Sequence, residues 1–223
     1  MNQYIKLIHG YDIYKNFDLD KYPCRINGWN VNPPLYEMLI IQTKPKIIIE
    51  LGSWLGASAI AMAQIIKKNN LDTTIICIDT WLGSAEFIGL HESDASRSLM
   101  SAYGYPNVYY QFLSNVLHNQ VSDIIVPFPN TFQHACDWLL TKDIEAQLIY
   151  SDGDNAIASV FNDLTYIWPL LSINGIVFGD DLNHMGLPGI KMGLNEFCLD
   201  YNVRYKTIKE HNNFWMIEKK HLL

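Results

Sequence analysis

The sequence contains few basic residues, and they form no cluster along the chain. Its 223 residues include 16 Lys and Arg against 23 Asp and Glu, a formal net charge of −7. Tight binding to nucleic acid depends on clustered cations, so we expect no nucleic-acid partner. No apolar run approaches the roughly 20 residues of a membrane span, and the first residues lack the build of a signal peptide. We therefore expect a cytoplasmic protein without a membrane partner.

Cysteine motifs and dinucleotide fingerprints are also missing. The four cysteines, at positions 24, 77, 136 and 198, form no CxxC pair, and they read as reduced thiols of a cytosolic protein. No GxGxxG follows the first apolar run, which counts against a nicotinamide-dependent oxidoreductase. What the chain does contain is 49% hydrophobic residues, enough to bury a full core.

Short apolar runs alternate with helical patterns along the chain. The runs are continuous, as in strands buried on both faces of a parallel sheet, and they cover Lys46–Leu51, Thr74–Asp79, Asp123–Phe128, Gln147–Asp152 and Gly175–Asp180. Helical spacing is present over Trp54–Lys68, Asn107–Val121, Thr131–Leu140 and Ala156–Leu171. This alternation predicts an α/β fold, a Rossmann-like doubly wound sheet with five parallel strands.

The two ends of the chain depart from this alternation. After a helix near Gly186–Leu199, the runs Val203–Lys209 and Phe214–Glu218 flank a turn-like Glu210–Asn213 and predict a carboxyl-terminal antiparallel hairpin. Residues 1–45 are predicted to be an extension with one short helix, which starts at Pro33 and Pro34 and runs to Gln42. Residues 46–223 form the main domain.

A long segment, residues 81–106, separates the second strand from the next helix. It contains Gly83, Gly89, Gly104 and Pro106. A connection of this length is usually functional, and it would lie above the carboxyl edge of the sheet, where ligands bind in this architecture. We predict a lid over the site, with an ordinary surface loop as the alternative.

Two motifs at the ends of the first two strands suggest a nucleoside ligand. Gly52 and Gly56 allow a sharp turn into a helix, whose free N–H groups suit a carboxylate or phosphate. By itself this spacing is also compatible with tight strand–helix packing. Asp79 ends the second strand, where an acidic residue typically binds the two ribose hydroxyls; a turn cap is the alternative.

Carboxylates follow the fourth and fifth strands. Asp152 and Asp154 come after one strand, and Asp180 and Asp181 after the next. Neighbouring parallel strand ends converge, and unpaired carboxylates there would repel each other. Oxygen ligands with room for water suit Mg²⁺ or another hard divalent cation. Solvated or hydrogen-bonded carboxylates remain the alternative.

Four motifs in order, IELGSWLGAS, ICIDTW, YSDGDNAIASVFNDL and WPLLSINGIVFGDDLNH, resemble those of class I S-adenosylmethionine-dependent methyltransferases. More narrowly, they are similar to the small metal-dependent O-methyltransferases of the catechol and macrocin (sugar) types, over about residues 46–220. The resemblance implies methyl transfer from S-adenosylmethionine to a hydroxyl of a small-molecule or sugar acceptor, with Mg²⁺ or another divalent cation. A homo-oligomer is compatible with the sequence.

The resemblance also implies roles for individual residues. The donor-binding positions would be Glu50, Gly52, Ser53, Gly56, Ser58, Asp79, Trp81, Thr131 and Asp152. Of these, Ser58 would lie near the methionine carboxylate, Asp79 at the ribose, and Trp81 and Thr131 at the adenine. The metal ligands would be Asp152, Asp180 and Asp181.

The catalytic base departs from the pattern of the sugar-modifying members. Their histidine position is Asn155 in this chain, and an amide cannot accept the proton at neutral pH. Asp154 and His184 are the predicted replacements. Asn155 also favours a second hypothesis, a module that binds S-adenosylmethionine without turnover.

Overall fold

The computed structural model describes residues 1–28, 30–83, 103–153, 156–183, 189–208 and 211–220. The strands in this part of the chain are β1 Ile47–Leu51, β2 Thr74–Asp79, β3 Ile125–Pro129, β4 Ala146–Ser151, β5 Leu171–Gly179, β6 Lys206–Ile208 and β7 His211–Glu218. The helices are α1 Gln3–His9, α2 Pro33–Thr43, α3 Ala57–Lys68, α4 Val108–His118, α5 Phe132–Leu140, α6 Ile157–Ile167 and α7 Gly189–Asp200. No helix among the described residues is long and apolar enough to cross a membrane.

The strands form one sheet in the order β3-β2-β1-β4-β5-β7-β6. Strands β1 to β5 are parallel, β7 runs antiparallel to β5, and β6 runs antiparallel to β7. The predicted fold class is therefore confirmed. Strands β1 and β4 are central neighbours although they are far apart in sequence, so the chain reverses its direction of winding between them. Ligands bind at such a switch point in open α/β sheets.

Helices cover both faces of the sheet. Successive side chains along β1 point to opposite faces of the sheet. Those of Ile48 and Ile49 therefore belong to two separate cores. The core around Ile48 contains residues of α1 to α4, and the core around Ile49 contains residues of α5 to α7. This burial on both faces explains why the strands are continuous apolar runs in the sequence.

The amino-terminal residues cover the edge strand β3. Helix α1 was not predicted from the sequence. The His9 Nε2–H donates to the Pro127 carbonyl at 2.7 Å, and the Tyr14 hydroxyl donates to the Ile125 carbonyl at 3.0 Å. Pro127 has no N–H to offer a neighbouring strand, which restricts it to an edge. The edge is therefore closed to pairing with another chain.

Several predicted boundaries differ from the structure, and two of them place residues in the wrong kind of element. The helix predicted over Ala156–Leu171 ends at Ile167, because Leu171 already belongs to β5 and pairs with Ala146. The predicted turn Glu210–Asn213 extends too far, because β7 begins at His211 and pairs with Ile208. Polar side chains at this outer part of the sheet do not prevent backbone pairing.

Candidate active site

The turn from β1 into α3 is shaped by two glycines. Gly52 has a φ of +79°, and a Cβ there would lie 2.0 Å from the Asp152 carbonyl oxygen. The ends of β1 and β4 can therefore approach only because residue 52 has no side chain. Gly56, with a φ of +87°, is the N-cap of α3 and supplies no capping side chain. The first N–H groups of α3 are thus available to an anionic ligand.

Glu50 stabilises this turn by accepting hydrogen bonds from two serines. Its two carboxylate oxygens accept the Ser53 hydroxyl at 2.5 Å and the Ser58 hydroxyl at 2.6 Å. The carboxyl group is buried, and burial raises its pKa. Since the Ser58 hydroxyl hydrogen is bonded to Glu50, the group with which Ser58 can donate to a ligand carboxylate is its backbone N–H.

Asp79 is held at the end of β2 by backbone groups. Its Oδ2 accepts the Trp54 N–H at 2.9 Å, and its Oδ1 accepts the Trp81 N–H at 2.7 Å. Burial raises the pKa of Asp79, while these N–H groups oppose the rise. The backbone N–H groups of Ser53 and Thr80 also favour the ionised carboxylate, which is a hydrogen-bond acceptor only. The position of the Asp79 carboxylate fits a group that accepts hydrogen bonds from the two hydroxyls of a diol.

The structure brings Trp81 and Thr131 close to Asp79 but gives them other partners. The Trp81 ring is 1% exposed and packs between Tyr109 and Phe112, and its Nε1–H donates to the Trp54 carbonyl at 2.8 Å. Thr131 is the N-cap of α5 and accepts the His134 N–H at 3.3 Å. Contact of either residue with an adenine stays a prediction.

Asp152 and Asp180 form a close acidic pair at the ends of β4 and β5. Asp180 is 5% exposed, and its burial, followed by the charge of Asp181, raises its pKa to about 7. Burial, followed by the charge of Asp180, raises the pKa of Asp152 well above its usual range. The predicted convergence of these two carboxylates is present in the structure: the charge of Asp180 adds to the pKa shift of Asp152, while a hydrogen bond with Asp152 opposes the pKa shift of Asp180.

Asp181 is bonded to two amides. Its Oδ1 accepts the Asn30 Nδ2–H at 2.6 Å and the Asn213 Nδ2–H at 3.1 Å. No group of three His, Cys, Asp or Glu side chains among the described residues is gathered closely enough to hold an ion. A metal site of Asp152, Asp180 and Asp181 therefore stays a prediction.

Sequence reasoning missed two tyrosines near this pair. Tyr36 from α2 and Tyr150 from β4 are fully buried, and their side chains interact with each other and, for Tyr150, with Asp152. The Asp152 charge contributes to raising the pKa of both phenols, after burial. Tyr150 could have been found, because it lies two residues before Asp152 and so faces the same side of β4.

Several predictions fall outside the described residues. Asp154 and His184, the candidate bases, lie there, as do Asn155 and residues 84–102 of the predicted lid. All four cysteines are free, while the cytosolic location stays a prediction.

Comparison with known proteins identifies the family. The profile of a methyltransferase-domain family matches residues 49–182, more than half of the chain. The uncharacterized protein y4gI of Sinorhizobium fredii is 25% identical over 155 residues, which are 70% of this chain and 15% of that protein. The chain thus corresponds to only a small part of this curated relative.

Solved structures share the fold at low sequence identity. The O-methyltransferase from Bacillus cereus, in complex with SAH, has a TM-score of 0.60 at 11% identity, covering 98% of this chain and 92% of that one. The O-methyltransferase NovP has a TM-score of 0.62 at 19% identity, covering 85% and 78%. CalS11, a calicheamicin methyltransferase, has a TM-score of 0.62 at 17% identity, covering 83% and 77%.

The family match spans the glycine turn, Asp79 and the acidic pair described above. The predicted membership of a methyltransferase family is therefore confirmed: this chain belongs to the methyltransferase-domain family, and it shares the Rossmann-like fold of the solved O-methyltransferases named above.

Proposed function

We propose that this chain transfers a methyl group from S-adenosylmethionine to a hydroxyl oxygen of a small molecule, with a sugar as the favoured acceptor. The observation that carries the proposal is Asp79, a carboxylate fixed by the N–H groups of Trp54 and Trp81 beside the uncapped start of α3. These two features suit the two ends of one donor, because a ribose diol donates to a carboxylate and a carboxylate accepts from helix N–H groups.

The donor would extend along the ends of β1 and β2. Its ribose hydroxyls would donate to the Asp79 carboxylate, and its methionine carboxylate would accept hydrogen bonds from N–H groups at the start of α3. Ser53 and Ser58 act indirectly here, since their hydroxyls hold Glu50 and thereby the turn. The SAH complex of the Bacillus cereus relative supports this choice of donor.

The acceptor would lie at the ends of β4 and β5, next to the methyl group. Its oxygen attacks the methyl carbon, and the C–O bond forms as the C–S bond breaks. The sulfur keeps the bonding electrons and leaves as S-adenosylhomocysteine, while the hydroxyl proton passes to a base, for which Asp154 and His184 are the candidates. The main contribution of the protein is to hold both reactants in line.

We further propose that Asp152, Asp180 and Asp181 hold a divalent cation. The donor set fits in its chemistry, because all three ligands are carboxylates and the repulsion within the Asp152–Asp180 pair would be relieved by positive charge. When bound, such an ion supplies orientation of the acceptor and a lower hydroxyl pKa. Adjacent hydroxyls, as on a sugar or a catechol-like ring, suit this arrangement.

A ligand panel followed by a turnover assay tests the proposal. Thermal unfolding is measured with S-adenosylmethionine, S-adenosylhomocysteine, NAD and NADP, each with and without Mg²⁺. A donor at 100 times its Kd stabilises the fold by about 2.7 kcal/mol, and we expect this only for the two adenosyl compounds. Hydroxylated acceptors with methyl-labelled donor then test transfer.

Each outcome separates the hypotheses. Stabilisation by NAD or NADP alone would overturn the proposal in favour of an oxidoreductase. Binding of S-adenosylmethionine without transfer to sugars, catechols or other hydroxyl acceptors would favour the non-catalytic module.

A further inference from the structure

Asn30 of the amino-terminal extension lies at the acidic end of the sheet. The hydrogen bond from Asn30 Nδ2 to Asp181 Oδ1 joins residues 151 positions apart. It is 2.6 Å long and is charge-assisted. Asn213 of β7 donates to the same oxygen at 3.1 Å. Among the described residues, the hydrogen bonds that side-chain amides donate to the Asp181 carboxylate thus converge on Oδ1, which leaves Oδ2 for another partner.

Asp181 needs this support because its backbone is in a disfavoured conformation. Its φ is +54°, in the left-handed region. A non-glycine residue there costs of order 1–2 kcal/mol and persists where its surroundings hold it. Two amides from distant parts of the chain are the contacts that fix the orientation of this side chain.

Residues 28–32 are themselves anchored on both sides of Asn30. Gly28 lies so close to the start of α3 that a Cβ would come within 2.6 Å of the Ala57 Cβ. Asn32 donates from Nδ2 to His211 Nδ1 at 2.8 Å, while its Oδ1 accepts the Leu35 N–H at 3.2 Å and caps α2. The segment is therefore tied to α3, α2 and β7, and Asn30 lies between these anchors.

We propose that Asn30 is a positioning residue for methyl transfer. By occupying Oδ1 it holds Asp181 so that Oδ2 is presented to the acceptor or to the cation that orients it. This inference rests on the proposed function, but it adds a residue from outside the family match, which begins at residue 49. It also gives the amino-terminal extension a role in the site.

The test compares Asn30→Gly and Asn30→Asp with a matched control, Asn70→Gly. Glycine accepts the positive φ of Asn30, +53°, and removes the amide; aspartate keeps the size but replaces the N–H donor with a second carboxylate. Asn70 also has a positive φ, +51°, and lies just beyond the end of α3 that is remote from the site. We expect both Asn30 variants to lower kcat by about ten- to a hundredfold, the range for one hydrogen bond to a charged group.

Comparing the change in kcat with the change in donor Kd distinguishes a positioning role of Asn30 from a role in general stability. We expect the donor Kd of the Asn30 variants to stay within about twofold of the wild type, with the aspartate variant the slower of the two. Asn70→Gly should leave kcat unchanged. An unchanged kcat in both Asn30 variants, or a fall in kcat matched by an equal loss of donor affinity, would overturn the proposal.

A crystal structure of Asn30→Gly provides a readout independent of turnover. We expect the Asp181 carboxylate to rotate away from its wild-type position or to occupy two conformers. An Asp181 that keeps the wild-type position refutes the inference whatever the activity. If the wild-type protein transfers no methyl group at all, the proposed function fails, and this structure still decides whether Asn30 positions Asp181.

Discussion

Replacement of Asp79 by alanine should separate donor binding from folding. The carboxylate accepts the Trp54 N–H at 2.9 Å and the Trp81 N–H at 2.7 Å, and we propose that it also accepts the ribose hydroxyls. A hydrogen bond to a charged group contributes about 1.5–3 kcal/mol. Loss of one such bond weakens the donor Kd by about ten- to a hundredfold, and we expect at least the lower value.

The same change also costs stability, which the assay must measure separately. Two backbone N–H groups lose their acceptor, at about 1–3 kcal/mol for each group left unpaired. Donor affinity is therefore measured by calorimetry on protein whose folding is verified by circular dichroism and urea unfolding. Asp79→Asn retains one acceptor oxygen for the turn and removes the charge, so it should lie between alanine and the wild type.

Asp72→Ala is the matched control. Asp72 precedes the opposite end of β2 and forms an exposed ion pair with Lys46 at 2.9 Å. Exposed pairs contribute little, so both its donor Kd and its stability should be close to the wild type. A folded Asp79→Ala protein with a donor Kd within about twofold of the wild type would refute the assignment of Asp79 to the ribose.

Three further outcomes are expected. Gly52→Ala should lower the free energy of unfolding, measured in urea, far more than Gly10→Ala. Both glycines have a φ near +79°, so the backbone cost is matched. A Cβ at residue 52 would lie 2.0 Å from the Asp152 carbonyl oxygen, whereas a Cβ at residue 10 would have nothing within 4 Å. The Gly10 variant should lose only about 1–2 kcal/mol, and equal losses would contradict the close approach of β1 and β4. EDTA should abolish methyl transfer, with recovery on adding Mg²⁺, while the donor Kd changes only a few-fold; full turnover in EDTA would remove the metal from the mechanism. Burial lowers the pKa of His9 below 6.5, so the unfolded state binds more protons below that pH, and the stability of the wild type relative to His9→Gln should fall as the pH falls from about 6.5; a flat difference would show that folding leaves the pKa of His9 unchanged.

The parallel strands were predictable because burial on both faces requires a continuous run of apolar residues in each strand. The run at Ile47–Leu51 is entirely buried, and the glycine turn and Asp79 follow from where two such runs end. The start of β5 was missed because Ser172, Ile173 and Asn174 are partly or fully exposed and break the apolar run. Strand pairing there depends on backbone hydrogen bonds that leave no mark in residue type.

The contribution of the amino-terminal extension could not be predicted. The bond from Asn30 to Asp181 depends on long-range contacts nearby, such as Gly28 against Ala57, that have no periodic signature in the sequence. Asn213 was interpreted as a turn residue for the same reason. A polar residue in an exposed stretch looks identical in sequence whether it faces water or a carboxylate.

The strand order also determines when each half of the site can form during synthesis. Ile48 of β1 pairs with Ile75 of the next strand and, only much later in the chain, with Leu148 of β4. The half that contains Gly52 and Asp79 can therefore assemble while the acidic half is still untranslated. Closure of the longer loop is slower, and the bond from Asn30 spans a still greater separation. A nascent chain that stops before β4 would carry the glycine turn and Asp79 without Asp152 and Asp180.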